Sequence, residues 1–251
     1  MSGGDGAAPS KQGRAQAYVR KSWRYVELQF KGEITQTRML RWCPDVLLVG
    51  YTRTMLAALL LQPRPRRIGI LGLGGGAQAK FCHRHLPDAC IEAVESDAGV
   101  LALREVFRVP ADDARLTVDH DDGARWLHRR RERYDLLLVD AYDASGIPSA
   151  LSSQAFYDDC RAALSADGVM ASNLYATDVG RHLARLRRAF DGRVLVLDEP
   201  AMSNRVVFAW NGDPQPPDVR TALRRLPWSA RHQLSAGFAR LASAFARSGR
   251  N

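Results

Sequence analysis

Ile68-Gly-Ile-Leu-Gly-Leu-Gly-Gly-Gly-Ala77 joins a short apolar run to a cluster of glycines. Its spacing, Gly72-x-Gly74-x-x-Ala77, satisfies the G-x-G-x-x-G/A fingerprint, in which a strand enters a tight turn and a helix leaves it. Glycine suits such a turn because the backbone bends sharply and comes close to a ligand. The stretch therefore predicts the first βα unit of a nucleotide-binding domain. The predicted cofactor-binding turn consists of Gly72, Gly74, Gly75 and Gly76.

Strand and helix patterns alternate at short spacing on both sides of this turn. The predicted strands are 68–71, 90–95, 115–119, 134–140, 168–173, 194–197 and 205–210, and the predicted helices include 76–85, 122–131, 152–165 and 178–190. Such alternation indicates βαβ units and a parallel sheet with helices on both faces. The last two strands follow each other without a helix between them, which predicts an antiparallel last strand.

The segments outside this alternation divide the chain into four parts. Residues 1–22 are small, polar and basic, and we predict a disordered tail there. Residues 23–62 are predicted to form a small β-hairpin and a linking helix over 51–61, which prolines 63 and 65 end. Residues 63–213 form the predicted Rossmann-like nucleotide-binding domain. Residues 214–251 form a predicted C-terminal helical tail.

Acidic residues follow the second and third predicted strands. Glu95 ends the second strand about 20 residues after the glycine turn, where an acidic side chain can accept both ribose hydroxyls. Asp122-Gly123 follow the third strand, where a carboxylate could contact an adenine amino group. These features predict a nucleoside cofactor in a crevice at the carboxyl ends of the strands. NAD is the nearest alternative, because its pyrophosphate would also occupy a helix N-terminus.

Asp140 and Asp143 follow the fourth strand, which is almost entirely apolar. Two carboxylates three residues apart could bind a cationic amine. One of them could also take a proton from an attacking ammonium nitrogen, which is nucleophilic only when neutral. This pair is therefore the predicted catalytic feature.

Composition limits the classes of partner. The formal net charge is +9, and much of the excess is arginine, including residues 129–131. A basic surface attracts polyanions without specificity, so nucleic acid stays open as a partner. The apolar run 46–61 is short for a membrane span and contains Arg53, so no membrane is expected. The chain opens without an apolar signal-peptide region.

The cysteines and histidines show no metal-ligand pattern. Four cysteines form no C-x-x-C pair, and six histidines show no ligand spacing with each other or with cysteine. No metal is expected. Reduced thiols in a cytoplasmic protein are the simple interpretation.

Together these residues resemble the spermidine synthase (polyamine aminopropyltransferase) family, in its short bacterial spermidine synthase-like branch, over about residues 24–211. The motifs that carry the resemblance are Gln36-Thr-Arg-Met39, Tyr51-Thr-Arg-Thr-Met55, Leu71-Gly-Leu-Gly-Gly-Gly76, Ala93-Val-Glu-Ser-Asp97, Asp122-Gly123, Tyr134-Asp-Leu-Leu-Leu-Val-Asp-Ala-Tyr-Asp143, Phe156-Tyr157 and Gly168-Val169. The resemblance implies the Rossmann-like class I S-adenosylmethionine-dependent methyltransferase fold, preceded by a small β-domain. It also implies transfer of an aminopropyl group from decarboxylated S-adenosylmethionine to putrescine, a step of polyamine biosynthesis.

The resemblance also assigns roles to individual residues. It places Gln36 near the cofactor, Glu95 on the ribose, Asp122 on the adenine, Asp140 as the catalytic acid/base, Asp143 on the amine and Tyr51 along the acceptor pocket. Because relatives are often dimers, a homodimer is expected.

Three motifs depart from the family pattern. The usual Tyr-His-Glu reads Tyr51-Thr-Arg53, the usual Gly-Gly-Gly-Asp ends in Ala77, and Asp143 is not followed by proline. The missing aspartate normally holds the aminopropyl ammonium, so ordinary S-adenosylmethionine could fit as well. Three functions stay open: an aminopropyltransferase, an S-adenosylmethionine-dependent methyltransferase with an unknown acceptor, and a non-catalytic nucleotide-binding module.

Overall fold

The glycine stretch lies between an interior strand of a seven-stranded sheet and the helix that follows it. The computed structural model describes residues 18–29, 35–142, 146–200, 202–214 and 218–248. The strands of the large sheet are β4 (Arg67–Leu71), β5 (Cys90–Glu95), β6 (Leu116–His120), β7 (Tyr134–Val139), β8 (Leu164–Leu174), β9 (Val194–Asp198) and β10 (Arg205–Trp210), numbered after three N-terminal strands given below.

The strand order of the large sheet is β6-β5-β4-β7-β8-β10-β9. Strands β4 to β8 run parallel to one another, and β10 is antiparallel to both of its neighbours. The predicted parallel sheet with an antiparallel last strand is therefore confirmed. Since all five parallel strands end at the same edge, the loops that follow them meet there.

Helices cover both faces of this sheet. They are α1 (Gly50–Met55), α2 (Ala77–His85), α3 (Ala98–Leu101), α4 (Gly123–His128), α5 (Gln154–Ala163), α6 (Val179–Ala189), α7 (Val219–Arg224) and α8 (Trp228–Ser248). The predicted linking helix over 51–61 is the helix α1 followed by a buried 3₁₀ turn, Leu56–Leu60. Helix α4 ends at His128, before the predicted residue 131, because the chain must turn into β7.

The apolar residues of the central strands alternate between two core clusters, one on each face of the sheet. In β7, Leu136 and Leu138 enter one cluster, whereas Leu137 and Val139 enter the other. The C-terminal helix α8 belongs to the first cluster through Leu234, Phe238 and Leu241, among others. The predicted helical tail is therefore two helices, α7 and α8, which pack on the main domain.

The N-terminal sheet has three strands rather than the two of the predicted hairpin. They are β1 (Tyr18–Lys21), β2 (Tyr25–Gln29) and β3 (Thr35–Leu40), all antiparallel, in the order β1-β2-β3. Strand β1 falls inside the segment that the sequence predicted as disordered. Its mostly exposed residues pair along β2, and this pairing outweighs their polar composition. Residues 1–17 lie outside the described part of the chain.

Candidate functional site

The glycine turn after β4 adopts backbone conformations that only glycine takes without strain. The φ angles of Gly72, Gly74 and Gly76 are +88°, +51° and +67°. The turn is also closely packed, since a Cβ atom on Gly75 would lie 2.3 Å from Cγ2 of Thr37. Strand β3, which carries Thr37, therefore rests directly on the turn, and a small sheet outside the main domain forms one wall of the site.

Glu95 ends β5 and turns its carboxylate to the glycine turn. Its Oε2 accepts hydrogen bonds from the backbone nitrogens of Leu73, at 3.0 Å, and Gly74, at 3.3 Å. Its Oε1 accepts one from the nitrogen of Asp97, at 3.0 Å. The side chain is half-buried. Glu95 thus lies beside the turn, where the sequence placed it.

Asp122 follows β6 and caps helix α4. Its Oδ1 accepts a hydrogen bond from the backbone nitrogen of Arg125, at 2.9 Å, and the residue is exposed. The neighbouring Asp121 hydrogen-bonds to Arg125, and this contact lowers the pKa of the Asp121 carboxyl. The backbone nitrogen of Asp121 donates to the carbonyl of Glu95, at 3.3 Å, so the two strand ends are joined. Gly123 begins α4 and is half-buried. The adenine contact of Asp122 stays a prediction.

Asp140 follows β7 and is held on three sides. Its backbone nitrogen donates to the carbonyl of Leu71, at 2.8 Å, which ties it to the strand that enters the glycine turn. Its Oδ1 accepts a hydrogen bond from Nδ2 of Asn173, at 2.9 Å, and its carboxylate also hydrogen-bonds to the Tyr51 side chain. Burial raises the pKa of Asp140, while the bonds from Asn173 and Tyr51 counteract that rise.

Tyr51 reaches Asp140 from helix α1. Burial, and next the nearby Asp140 charge, raise the pKa of the Tyr51 phenol well above its ordinary value. The phenol is therefore a hydrogen-bond donor to the carboxylate at neutral pH. The structure brings together two residues that lie far apart in sequence. The role of Tyr51 along the acceptor pocket stays a prediction.

Two asparagines behind Asp140 were missed by the sequence reasoning. Asn173, near the end of β8, and Asn204, just before β10, are both buried. Nδ2 of Asn204 donates to Oδ1 of Asn173, at 2.9 Å, which fixes the amide of Asn173 with its nitrogen towards Asp140. The hydroxyl of Tyr142 donates to the backbone carbonyl of Asn173, at 2.7 Å. An amide side chain at the carboxyl end of the buried part of β8, residues 168–174, was the available signal.

Comparison with known proteins agrees with this geometry. The family model for the spermine/spermidine synthase domain matches residues 50–186. This chain belongs to the spermine/spermidine synthase family.

A curated relative from Neisseria meningitidis, named polyamine aminopropyltransferase, is 31% identical over 221 residues, which cover 86% of this chain and 84% of the relative. Two solved structures show the same fold. Spermidine synthase in complex with the transition-state analogue AdoDATO has a TM-score of 0.66 at 22% identity and covers 90% of this chain and 85% of its own. Human methyltransferase-like protein 13, in complex with SAH, has a TM-score of 0.61 at 24% identity and covers 76% and 93%.

This member of the spermine/spermidine synthase family departs from the family pattern at Thr52, in α1, and at Ala77, in α2. The hydroxyl of Thr52 donates to the carbonyl of Val49, at 2.7 Å, so it is engaged by its own helix. Ala77 begins α2 and is half-buried, and the first turn of that helix contains no acidic residue. The glycine-turn end of α2 therefore presents backbone N–H groups without an anionic side chain.

Two predicted site positions cannot be placed. Asp143 lies outside the described residues, and so does the side chain of Gln36, although its backbone belongs to β3. The roles of Gln36 on the cofactor and of Asp143 on the amine stay predictions.

The residues that the structure describes contain neither a cluster of metal-binding side chains nor a membrane-spanning helix. There, no three histidine, cysteine or acidic side chains come together as a metal site would require. No helix in the same part of the chain is long and apolar enough to cross a membrane.

Proposed function

We propose that this chain transfers the aminopropyl group of decarboxylated S-adenosylmethionine to a polyamine-type amine. One observation carries the proposal: Asp140 is a carboxylate with a raised pKa, held by Asn173 and Tyr51 directly beside the glycine turn. The family supports the same reaction, because curated relatives at 31% identity are named polyamine aminopropyltransferases.

Each residue has a chemical task in this proposal. Glu95 holds the ribose of the cofactor, and the glycine turn allows its backbone to approach. The bound sulfonium supplies an activated carbon. Asp140 takes a proton from the ammonium group of the acceptor, and the free amine then attacks that carbon.

In this step a nitrogen–carbon bond forms while the carbon–sulfur bond breaks, and its electron pair stays on sulfur, giving methylthioadenosine. A carboxylate with a raised pKa suits a general base, because its proton affinity is closer to that of the amine. Tyr51 orients the carboxylate through its hydrogen bond. The protein otherwise contributes alignment of the two reactants, which accounts for much of the rate of such displacements.

A second function, methyl transfer from ordinary S-adenosylmethionine, is favoured by one specific observation. Helix α2 begins at Ala77 and has no acidic residue in its first turn. The partial positive charge of a helix N-terminus favours a carboxylate, which ordinary S-adenosylmethionine has and its decarboxylated form lacks. Ala77 thus weakens the discrimination between the two cofactors.

The deciding experiment identifies the products. The purified protein is incubated with putrescine and either cofactor, and the products are measured by liquid chromatography and mass spectrometry. Methylthioadenosine together with an equal amount of aminopropylated amine supports the proposal. S-adenosylhomocysteine with a methylated amine would instead support the second function. Nucleoside binding by calorimetry without any product would indicate a non-catalytic module.

A pair of variants tests the role of Asp140 in the same assay. Asp140→Asn should keep nucleoside affinity but lower turnover by about 10²- to 10⁴-fold, because the general base is lost. Asp178→Asn is the matched control. Asp178 follows β8 and caps α6 through a bond from the Arg181 nitrogen. Asparagine caps equally well, so this variant should keep full turnover.

The expected homodimer and the expected cytoplasmic location stay predictions from the sequence.

A further inference from the structure

Two exposed tryptophans lie side by side at one end of the small sheet. Trp23, in the turn between β1 and β2, is 74% exposed, and Trp42, two residues after β3, is 64% exposed. Their ring centroids are 5.6 Å apart and their planes are inclined by 58°. Exposed apolar surface of this kind marks an interaction site more often than does a single exposed side chain.

Four exposed cations lie within three residues of the two tryptophans in the chain. They are Arg20, Lys21, Arg24 and Arg41. None of the four has an acidic partner among the residues that the structure describes, and the described segments 18–26 and 37–44 contain no aspartate or glutamate. The nearest acid in β2, Glu27, is already paired with Arg38, at 2.6 Å. We call Trp23, Trp42 and these four cations the tryptophan patch.

We propose that the tryptophan patch binds single-stranded nucleic acid. Aromatic side chains stack on unpaired bases of any sequence, and arginine matches phosphate oxygens with two parallel hydrogen bonds. The patch offers both kinds of group at the β1–β2 turn and just after β3. Three of its four cations are arginines, which favours phosphate over other anions. This proposal does not depend on the transferase function.

Two other occupants fit the patch less well. In a twofold contact with a second copy, the same patch would face itself, and the unpaired cations of both copies would repel each other. Binding to a lipid surface scales with the apolar area that enters the headgroup boundary, and the two indole rings offer little of it. The exposed large apolar residues of the described small sheet are Tyr18 and Trp23, with Trp42 just after it, and all of them are aromatic.

The main test measures binding of a fluorescein-labelled oligothymidine of about 15 nucleotides by fluorescence anisotropy. Trp23→Ala/Trp42→Ala should weaken binding by about 10-fold or more, because stacking on two rings is lost. Trp228→Ala is the matched control. Trp228 is 78% exposed but lies on α8, stacked on His232, so its removal should leave the affinity unchanged. Circular dichroism melts show whether each variant is folded.

A charge variant tests the patch independently of the tryptophans. Affinity of the parent protein should fall by roughly 20- to 50-fold when the salt concentration rises about fourfold, as expected for three or four phosphate contacts. Arg20→Gln/Arg24→Gln/Arg41→Gln should reduce the slope of log affinity against log salt by about 2.

Several results would overturn the proposal. They are an unchanged affinity in the double tryptophan variant, binding of a duplex at least as tight as that of the single strand, and patch-dependent binding of phosphatidylglycerol vesicles in place of the oligonucleotide. Light scattering that shows a dimer lost in the double tryptophan variant would assign the patch to a second copy instead.

Discussion

Gly72 lies so close to Asp140 that a methyl group on its Cα would be 2.3 Å from the Asp140 carbonyl oxygen. The backbone nitrogen of Asp140 also donates to the carbonyl of Leu71, at 2.8 Å. The cofactor turn and the candidate general base therefore share one junction between the neighbouring strands β4 and β7. Asp140 keeps its position only because Gly72 has no side chain.

The first prediction concerns this junction. Gly72→Ala should lower the free energy of unfolding by roughly 3 kcal/mol or more, because an alanine at φ +88° is strained and its methyl group meets a backbone atom. Turnover should be lost as well, since Asp140 would be displaced. Urea denaturation and the product assay measure the two effects.

Gly192→Ala is the control for strain alone. Gly192 has a similar φ of +80°, and a methyl group on its Cα would meet no atom within 4 Å. This variant should cost only about 1–2 kcal/mol and leave turnover unchanged. Equal losses of stability in the two variants would show that the contact with Asp140 is unimportant.

The large sheet could be predicted from the sequence because its strands have strong local signals. The apolar run at 134–140 is typical of a strand buried on both faces, and it is β7. Strand β1 could not be predicted, because Tyr18–Lys21 has no alternation and is fixed by its pairing with β2. Its signal is therefore not local.

The positions of two predicted site residues follow from the sequence for the same reason. Glu95 and Asp140 stand at the ends of strands that the sequence identifies, so topology alone brings them to the glycine turn. Asn173 and Asn204 meet only because β8 and β10 pair antiparallel in one register, with Asn173 opposite Val206. The sequence of neither segment predicts the register in which two strands this far apart in the chain pair.

The second prediction concerns the hydrogen bond from Asn173 to Asp140. That bond favours the carboxylate and lowers its pKa. Asn173→Ala removes it, so the pKa of Asp140 should rise further. Because the general base works only when ionised, the acidic limb of the pH profile of kcat/KM should move to higher pH.

Asn211→Ala separates this effect from a general loss of packing. Nδ2 of Asn211 donates to the carbonyl of Ser165, at 3.1 Å, near the opposite end of β8. The Asn211→Ala variant should lower the free energy of unfolding without moving the pH profile of kcat/KM. If both variants leave the acidic limb in place, Asn173 does not tune the base.

The third prediction concerns Glu95. Glu95→Ala should weaken the binding of methylthioadenosine by roughly 30-fold, because hydrogen bonds from two hydroxyls to a charged acceptor are lost. Methylthioadenosine lacks the transferable tail, so calorimetry with it reports on the nucleoside half alone.

Asp97→Asn is the companion variant for Glu95. Asp97 lies two residues away and caps α3 through the nitrogen of Gly99, at 2.7 Å. Asparagine keeps that cap, so affinity for methylthioadenosine should be unchanged. Unaltered binding by Glu95→Ala itself would refute the ribose assignment.

The fourth prediction concerns Lys80, which is buried beside the small sheet. Its Nζ donates to the carbonyl of Phe107, at 2.7 Å, and contacts Sδ of Met39, at 3.2 Å. Burial lowers the pKa of Lys80 from its ordinary 10.5 to about 7. Above pH 7 the folded protein therefore releases a proton that the unfolded chain keeps.

The sign of the resulting pH dependence follows from that difference. At Lys80 the unfolded state binds more protons between about pH 7 and 10.5, so Lys80 makes the protein more stable as the pH rises through this range, by up to about 1.4 kcal/mol per pH unit. Lys80→Met should remove this contribution and flatten the curve of unfolding free energy against pH. Urea denaturation at a series of pH values measures the slope in both proteins.

Above pH 9 the buried Cys82 thiol, whose pKa burial raises to about 12, contributes with the opposite sign. The measurements therefore stop below pH 9. The control is Lys21→Met, which changes an exposed lysine and should leave the slope of unfolding free energy against pH intact. If Lys80→Met has the same slope as the parent protein, Lys80 stays charged in the folded state.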